Sequence, residues 1–159
     1  MFELFYDYFS SLSKFSSLLD KRINKVYYSV TANTRQFPIF NYYHSLFYNS
    51  EGKKIVPSNI GDLLSPRGLA YRLIDDGYCD RYTIYLCTDS FTIEEVELLI
   101  KVLYSNFGLV ATLQKRDTIA RKTRRVRFSG KAENLNLFRS LVLPYFISSM
   151  TYKLFFVKS

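Results

Sequence analysis

A chain of 159 residues with 48% hydrophobic content, 14 Phe, 14 Tyr and no Trp is long enough for one packed core and too apolar for a disordered segment. No uninterrupted apolar run reaches the roughly 18 residues of a membrane span; residues 140–157 come nearest and are broken by Pro144 and Lys153. The net charge of +8 points to a polyanionic partner rather than a basic one.

Residues 2–12 read as the end of an aromatic helix, and no signal-peptide pattern opens the chain. Residues 15–19, a turn at 20–24 and residues 25–33 read as a β-hairpin, supported by Val26, Tyr27, Tyr28, Val30 and Thr31. Residues 40–48 read as a helix that ends in the turn formers Asn49, Ser50, Glu51 and Gly52.

Ser65 then serves as an N-cap with Pro66 at the first helical position, opening a short apolar helix that ends Asp75-Asp76-Gly77. Two carboxylates at a helix C-terminus face the negative end of the macrodipole, which is unfavourable unless a cation compensates them. An Asp-Gly turn with Gly77 in the left-handed conformation is the plainer alternative. Leu69, Arg72, Leu73 and Asp76 fall at i, i+3, i+4 and i+7, so Arg72 lies on or beside the face carrying Asp76. A buried arginine there is costly unless it pairs, with Asp76 itself or with a phosphate.

Residues 81–88 alternate as a strand. Thr92 and Glu95 form a capping box, and Val96, Leu99, Ile100, Leu103 and Phe107 follow helical spacing up to Gly108. Residues 109–116 and 123–128 read as a second hairpin, in which Arg125 and Arg127 share one face and Val126 and Phe128 the other. A helix over 131–142 stops before Pro144. The order from residue 65 is α-β-α-β-β-α, a mixed α/β chain with an antiparallel sheet.

The charge is concentrated in that hairpin. Lys115, Arg116, Arg121, Lys122, Arg124, Arg125 and Arg127 stand against the single acid Asp117, supplying six of the eight net charges. A solvated face usually mixes both signs, so this stripe favours nucleic acid. Cys79 and Cys87 match no zinc spacing and read as reduced, buried thiols, and His44, the only histidine, has no second histidine to join it as a ligand.

Leu69-Ala70-Tyr71-Arg72-Leu73-Ile74-Asp75-Asp76-Gly77 resembles the second motif of LAGLIDADG homing endonucleases, in the branch whose motif usually runs Leu-Ala-Tyr-Trp-Phe-Met-Asp-Asp-Gly. Gly52-Lys53-Lys54-Ile55-Val56-Pro57 and Leu64-Ser65-Pro66-Arg67-Gly68 resemble its approach to that helix. Residues 90–100 and Phe107-Gly108-Leu109 resemble its next helix, and Leu143-Pro144-Tyr145-Phe146 with residues 149–154 its closing signature. The resemblance implies an αββαββα half over 53–159, preceded by a partial first half over 1–52. In that family two motif helices pack side by side, each presents one acid to a scissile phosphate, and a saddle of strands lies on duplex DNA.

Carried over by position, the resemblance makes Asp76 the metal-binding and catalytic acid, with Mg2+ the expected ion. It places Lys153 and Lys54 where the family keeps lysines beside the attacking water. The expected nucleic-acid contacts are Lys21, Arg22, Lys25, Gln114, Lys115, Arg116, Arg121, Lys122, Arg124, Arg125 and Arg127. Two departures stand out: no earlier motif precedes residue 1, and Arg72 replaces the usual Trp. They imply either a site-specific DNA endonuclease completed by a second polypeptide, or a catalytically inactive RNA binder, maturase-like or ribosomal. A mitochondrial setting follows from the same resemblance.

Overall fold

The computed structural model describes residues 6–9, 14–117 and 122–155. The chain divides into two units, Met1–Ser45 and Leu46–Ser159. In the first, β1 (Lys14–Asp20) and β2 (Lys25–Thr31) pair antiparallel in unbroken register from Lys14↔Thr31 to Asp20↔Lys25. The expected hairpin is present. Asn24, at a φ of 49°, supplies the left-handed turn residue, and Arg22 holds the Asp20 carboxylate through its backbone and its guanidinium. The pairing places Phe15, Leu19, Val26, Tyr28 and Val30 on one face, and all five are exposed. Within residues 2–12 the described part is a 3-10 turn, Tyr6–Tyr8, and Phe9 bridges to Thr34; the rest of that expected helix lies outside the described residues. Helix α1 (Pro38–Phe47) follows.

The second unit runs α2 (Ile60–Leu63), α3 (Pro66–Asp76), β3 (Gly77–Asp80), β4 (Thr83–Cys87), α4 (Ile93–Phe107), β5 (Ala111–Asp117), β6 (Lys122–Phe128) and α5 (Ala132–Val142). The strands form one antiparallel sheet ordered β3-β4-β6-β5, so β4 and β6 join two hairpins at the centre. One face of this sheet carries Ile84, Leu86, Val126 and Phe128. Against it pack Leu69, Ala70 and Leu73 of α3, Val96 and Leu103 of α4, and Leu135, Phe138 and Val142 of α5. Burial of the larger of these side chains, at about 1.5–3 kcal/mol each, holds the unit together.

The helix ends follow their local sequence. Ser65 Oγ accepts from Gly68 N at 3.1 Å with Pro66 in the first turn. Thr92 and Glu95 make the expected capping box, and Gly108 closes α4 at a φ of 68°.

Two expectations are corrected. Gly77 is extended, at φ −92° and ψ 161°, rather than left-handed. Its lack of a side chain serves space: a Cβ there would lie 2.0 Å from Leu73 Cδ1 and 2.7 Å from Leu73 O. The chain therefore passes from α3 into β3 with no intervening loop. The strand expected at 81–88 spans only Thr83–Cys87, and β3 precedes it. Arg81, at a φ of 52°, lies in the turn between them. The order is α-β-β-α-β-β-α, as the resemblance implied.

Candidate nucleic-acid interface and motif helix

Cross-strand register fixes which side chains share the outer face of the sheet. Tyr78 pairs with Tyr85, Tyr85 with Arg127, and Arg127 with Thr112, giving one row across all four strands. The next row runs Cys87, Arg125 and Gln114. Thr112, Gln114 and Arg127 are exposed, while Val126 and Phe128 on the opposite face are fully buried. The expected division of β6 is present.

The two arginines of this face differ. Arg127 stands exposed at the centre of its row. Arg125 is held internally: its guanidinium lies 5.3 Å from the centre of the Tyr78 ring and donates to Tyr78 Oη, while its buried Nε has no hydrogen-bond partner among the described residues. Tyr78 also stacks on Tyr85, with centroids 5.0 Å apart and planes within 10°. Burial pushes the Tyr78 hydroxyl pKa up, and the charge of Arg125 pulls it back. This Tyr-Tyr-Arg group escapes sequence reading because β3 is only four residues long and shows no alternation.

The other basic residues are dispersed. Arg124 fastens the sheet to the loop before α4: its N–H donates to Asp89 Oδ1 at 2.8 Å and its guanidinium to Phe91 O at 3.3 Å. Lys115 is exposed opposite Arg124, Arg116 pairs in register with Thr123 and Lys122 with Asp117. Arg121 lies outside the described residues. In the first unit Lys21 is exposed in the β1–β2 turn, Arg22 is ion-paired to Asp20 at 2.9 Å, and the Lys25 ammonium lies 5.4 Å from the centre of the Tyr27 ring.

The end of α3 gathers Arg72, Asp76 and Lys153. Arg72 Nη1 lies 2.9 Å from Asp76 Oδ2 and 3.6 Å from Asp75 Oδ2, and its Nη2 donates to Cys87 O on β4 at 2.9 Å. Lys153 Nζ donates to the backbone oxygens of Leu73 (3.4 Å), Ile74 and Asp75 (3.2 Å). One cation thus meets the acids and another meets the carbonyls of the last helical turn, the arrangement the macrodipole favours. Cys87 senses this cluster. Burial pushes its thiol up, Arg125 opposes the shift, Asp89 and Asp76 add to it and Arg72 opposes it.

Lys54 lies apart, exposed, in a bridge with Tyr48. Its segment is pinned by Ile55 N donating to Phe47 O and by Val56 N donating to Glu95 Oε1. Lys54 and Arg72 line the same cavity of about 370 Å3, whose walls include Phe47, Ile60, Leu64 and Leu99.

The residues at the helix end do not fit a divalent ion as they stand. Among the described residues no three Asp, Glu, His or Cys side chains come together as a ligand set. Asp76 is already ion-paired, and an added ion would meet Arg72 at close range, a repulsion on the order of a few kcal/mol at the effective dielectric of a partly buried site.

The sequence model of the LAGLIDADG DNA endonuclease family matches residues 1–138. An intron-encoded endonuclease, ai4, of Dictyostelium discoideum is 32% identical over 121 residues, which are 76% of this chain and 74% of that protein. The cytochrome b mRNA maturases bI2 of Debaryomyces hansenii and Saccharomyces cerevisiae are 29% and 30% identical over 77% of this chain. The chain spans 45% and 29% of their lengths. In three dimensions the chain is similar to the homing endonuclease I-WcaI, solved bound to its DNA recognition sequence. The TM-score is 0.83 at 25% identity, covering 99% of this chain and 70% of that one. The αββαββα unit, the helix ending in Asp75-Asp76-Gly77 and these matches together establish that the chain belongs to the LAGLIDADG DNA endonuclease family.

Proposed function

We propose that this chain is the DNA-reading part of a site-specific endonuclease, binding duplex DNA through the outer face of the β3-β4-β6-β5 sheet. The observation that carries this reading is the exposed Arg127, with Thr112 beside it in its row and the exposed Gln114 in the next. These are donors and acceptors of the kind that read base edges, with Arg suited to a bidentate contact with guanine. The DNA-bound state of the similar I-WcaI supports the same use of the fold.

The family is one of nucleases that generally depend on a divalent metal. In this chain we assign no hydrolytic step to Asp76, Lys153 or Lys54. Asp76 is ion-paired, Lys153 is engaged with the end of α3, and Lys54 is exposed on a separate segment. Phosphodiester hydrolysis with Mg2+ is therefore assigned to an assembly in which a further protein segment, on another polypeptide or on more of the same one, supplies the acid. The exposed apolar face of the β1–β2 hairpin supports such a segment, because an uncovered patch of this kind ordinarily meets protein. The cytochrome b maturases among the relatives support a mitochondrial setting.

A second reading, RNA binding as in a maturase, is favoured by the stacked Tyr78 and Tyr85 on the sheet surface, since aromatic faces suit unpaired bases. The test is selection from random duplex DNA and random RNA pools with the purified chain. Enrichment of one duplex sequence, lost in Arg127→Ala, is the expected result. Enrichment of RNA alone, lost in Tyr85→Ala, would replace the first reading with the second.

A further inference from the structure

We propose that Arg72 is the resident cation of the motif helix, occupying the place beside Asp76 that a divalent ion would take, so that this helix end works without a metal. The inference deepens the reading above, in which this chain binds nucleic acid and leaves the metal-held acid to another segment.

Three observations carry it. The guanidinium is fixed at both ends, on Asp76 Oδ2 at 2.9 Å and on Cys87 O at 2.9 Å, with Asp75 Oδ2 at 3.6 Å. A planar, permanently charged fork that spans a carboxylate and a carbonyl of a second element is not a loose surface charge. The side chain is two-thirds buried, with 32% exposed, so turning it away from Asp76 would leave part of its charge without a partner. Finally, the local charge is already balanced. Asp75 and Asp76 contribute two negative charges, and Arg72 and Lys153 contribute two positive ones within hydrogen-bonding range of the same helix end. No net negative field remains to draw a doubly charged ion.

The pairing also states what Arg72 does for the fold. It ties the last turn of α3 to the end of β4, the strand that faces Arg125 and Arg127 across the sheet. Arg72 is therefore a positioning residue for the outer face as well as the counter-charge of Asp76.

The test is a Mn2+ titration of the full chain without nucleic acid, counting free ion by electron paramagnetic resonance. Wild type and Asp76→Asn are expected to bind Mn2+ equally poorly. Arg72→Met is expected to gain a site about tenfold tighter or more, and Arg72→Met/Asp76→Asn to lose it again. A wild-type site that Asp76→Asn removes would overturn the proposal, and so would an Arg72→Met variant that gains nothing. Should Arg72→Met fail to fold, the milder Arg72→Gln enters a thermal double-mutant cycle with Asp76→Asn. Each single change is then expected to lower Tm, and the double change no further than Arg72→Gln alone; additive shifts would refute the pair. Because no DNA or RNA is present, failure of the chain to select nucleic acid leaves these outcomes unaffected.

Discussion

Gly77 shows how one residue sets the geometry of the whole helix end. Its backbone is extended and open to any residue, yet a Cβ there would meet Leu73 Cδ1 at 2.0 Å and Leu73 O at 2.7 Å. Leu73 is fully buried in the core and cannot withdraw without moving its neighbours. Gly77→Ala is therefore expected to destabilise by about 1–3 kcal/mol, seen as a fall in Tm; an unchanged melt would mean that the helix end can open. Cys87 offers a pH-dependent check on the same region. Burial raises its thiol pKa, more than Arg125 and Arg72 lower it. A raised folded pKa means that the native chain holds the proton more tightly than the unfolded one. This stabilisation is full below the ordinary thiol pKa and is lost as pH rises from there through the raised folded value. Alkylation of Cys87 by iodoacetamide between about pH 8 and 9 should accordingly be slower in the folded chain than in urea. Equal rates would show that the thiol is not shielded.

Helix α4 carries more than its own cap. Glu95 accepts from Thr92 N at 2.7 Å through one oxygen and from Val56 N at 3.1 Å through the other. It thereby holds the 53–57 segment, with Lys54, to the start of the helix. Glu95→Ala is expected to cost about 1–2 kcal/mol and to speed hydrogen exchange at the Val56 amide. Thr92→Ala should cost a similar amount while leaving Val56 protected. Identical exchange in the two variants would remove the second role. Half of this was legible in the sequence: the capping box, the Ser65-Pro66 start and the alternating β6 all depend on neighbours within a few residues. The long-range half was not. Val56 lies 39 residues from Glu95, and Lys153 lies 78 to 80 residues from the carbonyls it caps. Strand β3 was missed for a local reason, because its Gly77 also satisfies the pattern of a helix stop. Arg124 reads as one more basic residue of a stripe, and only the fold shows its guanidinium turned to Phe91 O and its backbone N–H donating to Asp89.

At the scale of the molecule, excess positive charge and one exposed sheet face must be converted into recognition of a polyanion. The charge alone gives affinity without discrimination, since phosphate neutralisation depends on salt and not on sequence. Discrimination needs side chains that are presented outward but held in place. Arg127 meets both conditions through its backbone, standing exposed in its cross-strand row between Tyr85 and Thr112 on a strand paired on either side. Lys115 does not: it is exposed near the far end of β5, paired with an arginine that is turned to the loop before α4. The two residues should consequently fail differently. Lys115→Gln is expected to weaken binding about equally across duplex sequences and to reduce the slope of log affinity against log salt by about 1. Arg127→Gln is expected to leave that slope nearly unchanged, to cost about 1–3 kcal/mol on the selected sequence, and to relax preference at one base pair. Fluorescence anisotropy at several salt concentrations, on the selected duplex and on single-base variants of it, separates the two effects. If both variants only lowered the salt slope, the sheet would be an electrostatic surface and the source of specificity would lie outside this face.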